Sequence, residues 1–99
     1  MNGYVVIDTE IVDPEAYSEF VDKVLATIAA HGGRFLVRTS EAQPIEGGWA
    51  PKRFVILEFD SVEAASGFIA SADYGSLDGV RRRGANSKIV VAEGFDSEA

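Results

Sequence analysis

Cysteine is absent from this 99-residue chain. That one absence excludes disulfides, thiolate zinc sites, iron–sulfur clusters and cysteine nucleophiles together. Histidine occurs once, at His31, which excludes a multi-histidine metal site within one chain and leaves no cofactor expected. Basic residues are the minority, 9 against 16 acidic, and the net charge of −7 repels phosphate backbones and anionic lipid. Neither nucleic acid nor a membrane is therefore an expected partner. No apolar run reaches the length of a bilayer span, and Met1 to Asp8 enter a strand pattern with no basic leader, which predicts cytoplasmic residence. Phosphate-binding glycine loops, a nucleophile elbow and a dinucleotide fingerprint are missing too.

What is present is one domain's worth of alternating patterns, spanning residues 1–99. A chain this short buries roughly 60–65 % of its surface, so a lone subunit is marginally stable. With disulfides unavailable, a partner subunit is the remaining route to stability. Tyr4 to Ile11 alternates with β-branched residues and reads as a strand. Asp13-Pro14-Glu15 is a helix start: a capping carboxylate, a proline suited to the first helical position and an acid at the positive end of the dipole. Tyr17, Phe20, Val21, Val24, Leu25 and Ile28 then repeat at threes and fours, and Gly32-Gly33 ends the helix. Strands are expected at Arg34 to Thr39, Arg53 to Phe59 and Lys88 to Phe95, separated by a Pro-, Gly- and Trp-bearing loop and a second helix capped by Asp60-Ser61. Tyr74, Leu77 and Val80 suggest one further short helical piece, and Asp96 and Glu98 form an acidic tail. The order β-α-β-β-α-β defines an α+β, ferredoxin-like fold: a four-stranded antiparallel sheet with its helices on one face.

Strict alternation assigns Val5, Ile7, Phe35, Val37, Val55, Leu57 and Phe59 to the helix-packed face. The opposite face then carries Tyr4, Val6, Asp8, Arg34, Leu36, Arg38, Phe54, Ile56 and Glu58. About half of those residues are apolar, too many for a face left to solvent. A second copy of the same sheet is the simplest cover, giving a homodimer closed face to face as an α+β barrel with the charged residues inside.

Several segments together carry a family resemblance: Gly3-Tyr4, Asp13-Pro14-Glu15-Ala16-Tyr17, Gly32-Gly33-Arg34-Phe35-Leu36-Val37-Arg38, Glu46-Gly47 near Trp49, Pro51-Lys52-Arg53, Glu58-Phe59, Ala64-Ala65, Ser71 with Tyr74, and Glu93-Gly94. Over nearly its whole length the chain resembles domain of unknown function 1330, within the dimeric α+β barrel superfamily. The resemblance implies the fold and the dimer. The wider superfamily includes cofactor-independent monooxygenases, isomerases, decarboxylases, haem-degrading enzymes and members without known activity, so it implies no particular reaction.

The leading candidate site residues are Arg34, Arg38, Arg53 and Glu58. Arginine grips carboxylates with a planar fork, and a glutamate held ionised among arginines serves as a base. Arg34, Arg38 and Arg53 are expected to bind a small anionic ligand, with Trp49 as a lid over a pocket or a dimer contact. Glu58 and His31 are the candidate catalytic groups. Each also has a purely structural reading: Arg34 and Glu58 as a cross-strand ion pair, His31 as a cap on the helix dipole. Tyr17 and Tyr74 read as packing residues with a polar tip. Arg81-Arg82-Arg83 reads as a solvated triplet at a helix end. The expected function is binding of a small organic acid or oxidised aromatic, by a cofactor-independent enzyme or by a non-catalytic binding module or interaction domain of the same shape.

Overall fold

The computed structural model describes residues 1–96; Glu98, placed by the sequence in the acidic tail, lies outside them. Strand β1 (Gly3–Ile11) leads into helix α1 (Pro14–Ala30), followed by β2 (Arg34–Thr39) and β3 (Arg53–Phe59). Helices α2 (Val62–Ala70), α3 (Ala72–Gly75) and α4 (Asp78–Gly84) precede β4 (Ala85–Glu93). The strands form one antiparallel sheet in the order β2-β3-β1-β4. This is the ferredoxin-like arrangement that the element order predicts.

Local chemistry accounts for the boundaries. The Asp13 carboxylate accepts from the backbone N–H groups of Glu15 and Ala16 at 3.1 and 3.4 Å, and Pro14 opens the helix. At the other end Gly32 takes φ +77°, and the N–H groups of Gly33 and Gly32 return to the carbonyls of Ile28 and Ala29. Asp13→Ala is expected to lower stability by about 0.5–2 kcal/mol with no change of fold, measured by urea unfolding.

The core lies between the helices and one face of the sheet. Val5, Leu57 and Phe59 from the strands meet Phe20, Val24 and Ile28 of α1, and Ala65 and Phe68 of α2 close the other side. Two differences from the sequence reading concern the last third of the chain. The single expected short helix is two, α3 and α4, and β4 starts at Ala85 instead of Lys88. Helix α4 ends against α1, where a side chain on Gly84 would strike the Tyr17 backbone nitrogen at 2.5 Å. The chain turns extended immediately, so Ala85 is already buried in the sheet.

The third difference decides the site. Arg34 pairs with Glu58 and Phe35 with Leu57, but the next pair is Val37 with Ile56, so β2 has a bulge at Leu36. Beyond a bulge every side chain changes face. Val37 therefore leaves the helix face expected for it and joins Ile56, Val6 and Val90 in one aliphatic row across the open face. Arg38 makes the opposite move, into the row Arg38–Val55–Ile7–Ile89 beneath the helices.

Candidate functional site

The residues singled out by sequence fall into three separate places. The first is on the open face of the sheet, at its Tyr4 end. Glu58 accepts from the Tyr4 hydroxyl at 2.8 Å and from Arg34 Nε at 2.7 Å, and Arg34 Nη1 reaches Asp60 at 3.2 Å. The Tyr4 hydroxyl, then Arg34 and Asn2, hold the Glu58 carboxyl below its ordinary range, while the same bonds raise Tyr4 and Arg34. With its acceptors filled by a phenol and a guanidinium, Glu58 sits in the cross-strand ion pair that was its structural reading. A group whose folded value is depressed stabilises the fold above its unfolded value and loses that contribution as pH falls through the folded one. Glu58→Gln should therefore lower stability at pH 7, where the carboxylate makes its full contribution, and flatten the dependence of stability on pH below about 4.5, the ordinary glutamate value, so that the two proteins converge in acid. Urea midpoints measured from pH 7 down to pH 3 check this.

The second place is the other end of the open face. Trp49 folds back onto the sheet: its Nε1–H donates to Asp8 at 2.9 Å, its ring meets Phe54 edge-on at 5.9 Å, and the Lys52 N–H fills the other Asp8 oxygen at 3.0 Å. Those bonds, that from Trp49 foremost, hold the Asp8 carboxyl below its usual value. Asp8 therefore anchors the 40–52 loop and does not neutralise Arg34. Arg38 has left this face, and Arg34 pairs there with two carboxylates, Glu58 and Asp60.

The third place lies between the sheet and the helices, where an apolar cavity of about 50 Å³ runs over the row Arg38–Val55–Ile7–Ile89. Its roof is the α1 stripe, including Phe20, Val24 and Leu25, with Phe68 and Tyr74 behind. At the β2 edge Arg38 lies 5.2 Å over the Phe35 ring, and among the described residues it has no carboxylate partner. Arg53 shares the Arg38 face one step along the sheet, beside Thr9, and donates to the Ser40 hydroxyl at 3.2 Å.

At the opposite side the cavity meets residues that sequence reading assigned to packing or solvent. Arg81 has only 13 % of its side chain exposed, pairs with Asp78 at 3.3 Å and lies 6.0 Å from the Tyr74 ring centroid. Thr9 and Ser87 share a hydrogen bond at 3.0 Å in the cavity wall. Burial pushes the Tyr74 hydroxyl above its usual value, Arg81 opposing and Asp78 adding to the shift, so it remains a neutral donor at pH 7. A signal for Arg81 was in the sequence: it follows Leu77 by four residues and so shares the inner face of a helix, whereas Arg82 and Arg83 turn outward.

His31 is far from acting as a partner to Glu58. It forms the C-cap of α1, but its ring turns away from the helix carbonyls, with Nε2 at 3.2 Å from both oxygens of Asp73 and the ring edge-on to Phe68. The structure thus separates the two candidate catalytic groups onto opposite sides of the sheet. Among the described residues no three His, Asp or Glu side chains gather as a metal site, and no helix is long and apolar enough to cross a membrane.

Known proteins share this architecture. A protein of unknown function from Rhodopseudomonas palustris superimposes with a TM-score of 0.75 at 15 % identity, covering 96 % of this chain and 83 % of that one. SnoaB, described as a cofactor-independent oxygenase from Streptomyces nogalater, gives 0.64 at 12 % identity, covering 97 % and 95 %. A dimeric protein of unknown function with a ferredoxin-like fold, from Bacteroides fragilis, gives 0.61 at 10 % identity, covering 94 % and 96 %. At such identities the likeness is one of fold. A comparison with curated proteins found no match. The family model for domain of unknown function 1330 matches residues 2–95, and the chain belongs to that family.

Proposed function

We propose that this protein binds a small, largely apolar organic acid in the cavity beneath α1, as a homodimer paired through the open faces of its sheets. The observation that carries the ligand reading is Arg38: a guanidinium brought by the β-bulge to the rim of an apolar cavity with no carboxylate of the described residues opposite it. An unpaired cation beside an apolar wall is a carboxylate site, and Arg53 on the same face adds to the local positive potential. The dimer reading rests on the aliphatic row Val37–Ile56–Val6–Val90, in which Val90 is 60 % exposed in the single chain, and on the dimeric state of the Bacteroides fragilis neighbour.

Arg38→Met keeps most of the packing of the stem and removes the charge. Because no ion pair is lost, the empty variant should be as stable as the wild type or more so. Small aromatic and aliphatic acids should raise the wild-type melting temperature, by the equivalent of about 2.7 kcal/mol at a hundred times Kd, and leave Arg38→Met unmoved. Equal shifts for both proteins, or none for the wild type, would remove Arg38 from the site.

Catalysis is a second reading, favoured by the paired environments of the cavity. Apolar walls with arginine at two points stabilise a delocalised oxyanion of an oxidised aromatic, and the fold is shared with the oxygenase SnoaB. No carboxylate of the described residues lines the cavity, so any carbanion would have to come from the acidity of the substrate itself. Oxygen uptake with a bound hydroxylated aromatic and no added cofactor would establish an enzyme; binding without uptake leaves a binding module.

A further inference from the structure

We propose that the ligand of this cavity has two oxygen-bearing ends: a carboxylate held by Arg38 at the β2 edge, and a phenol, enol or ketone oxygen held by Tyr74 and Arg81 on the β4 side. The inference rests on the reading of the cavity as a small-molecule site and specifies what that molecule carries.

Strand order sets the geometry. Arg38, Val55, Ile7 and Ile89 lie in one row across all four strands, so the cavity floor spans three inter-strand spacings, about 14 Å between backbones. The two middle positions are aliphatic. One end carries the unpaired Arg38, and the other lies next to Arg81, which also lines the surface groove outside β4 with Ser87 and Ile89. Arg81 therefore stands between the cavity and solvent, and both reaching side chains shorten the span that a ligand must fill.

The Tyr74 hydroxyl is a donor free to meet a ligand. Tyr74 is 6 % exposed, lines the cavity, and its hydroxyl makes no hydrogen bond among the described residues. No fully buried side-chain N or O atom among the described residues lacks a partner, so the Tyr74 hydroxyl is not sealed off and stays open to one more bond. Arg81 spends one N–H group on Asp78 and keeps others, since a guanidinium carries five. A neutral phenolic donor beside a cationic one selects an acceptor oxygen with partial or full negative charge, and repels an ammonium group. With an aliphatic floor between the two ends, the class that fits is a slender hydroxyaryl or keto acid whose second oxygen is remote from its carboxylate. The cavity is narrow when empty, and the exposed Leu25 and Arg38 at its mouth are the side chains that must move to admit such a molecule.

Cinnamate and 4-hydroxycinnamate test this, because they differ only in the remote hydroxyl. Calorimetric titration of the wild type should show 4-hydroxycinnamate binding about 2- to 12-fold more tightly, the value of one net hydrogen bond. Tyr74→Phe removes an oxygen that bonds to no described residue, so it should fold normally, bind cinnamate like the wild type and lose the preference. Arg38→Met should weaken both acids together. If Tyr74→Phe retains the preference, or weakens both acids equally, the second end is wrongly assigned while the carboxylate site stands. If neither acid binds the wild type, the cavity reading fails and this inference with it.

Discussion

Phe68→Ala is expected to lower the free energy of unfolding by about 3–5 kcal/mol, a large share of what a domain of this size has. Phe68 is 1 % exposed and is the centre of an aromatic cluster, with ring centroids 5.3 Å from Phe59, 4.7 Å from Tyr74 and 5.7 Å from His31. It holds α2 to the sheet and α3 to both. Truncation loses the transfer energy of the ring and leaves a void that rigid strands on one side cannot collapse into. Urea unfolding at one fixed protein concentration measures the effect, the concentration mattering because a dimer's stability depends on it. A midpoint equal to that of the wild type would mean that the cluster does not hold the helical layer together.

Ile56→Asp is expected to convert the proposed homodimer to monomers. Ile56 is central in the open-face row, between Val37 of the edge strand and Val6 of the middle one. A carboxylate there would have no cation opposite it in the same row, and burying it unpaired between two sheets costs several kcal/mol. Light scattering at micromolar concentration should give the dimer mass for the wild type and the monomer mass for the variant. Circular dichroism distinguishes a folded monomer from a subunit that unfolds once alone, a second consequence of the same loss. A monomeric wild type, or a variant of dimer mass with wild-type concentration dependence, would show that the aliphatic row is not the interface.

Periodicity and end signals made most of this fold legible. The stripe from Tyr17 to Ile28, the Asp13-Pro14 start and the Gly32-Gly33 stop are local chemistry, carried by residues within a few positions of each other. The alternation in Arg53 to Phe59 fixed which side of β3 is core, and the observed burial of Val55, Leu57 and Phe59 agrees. The pairing of Arg34 with Glu58 was readable for the same reason, since both lie before the irregularity in β2.

The site was less legible. Strict alternation put Arg38 on the open face and Val37 in the core, and one bulge at Leu36 exchanged them. Nothing in the six residues of β2 announces that bulge. It is chosen by what each face offers: a valine completes the aliphatic row, and an arginine on an edge strand can reach past Phe35 to the cavity rim. Arg81 and Tyr74 escaped for a related reason, because their neighbours in space come from α1, β4 and β1, far away in the chain. By itself the sequence determined the elements, their order and one side of the sheet, all set by contacts close in sequence or by a period of two. Only the tertiary structure decided which cations face the cavity, because that depends on a register between strands and on helices that close over it from the other end of the chain.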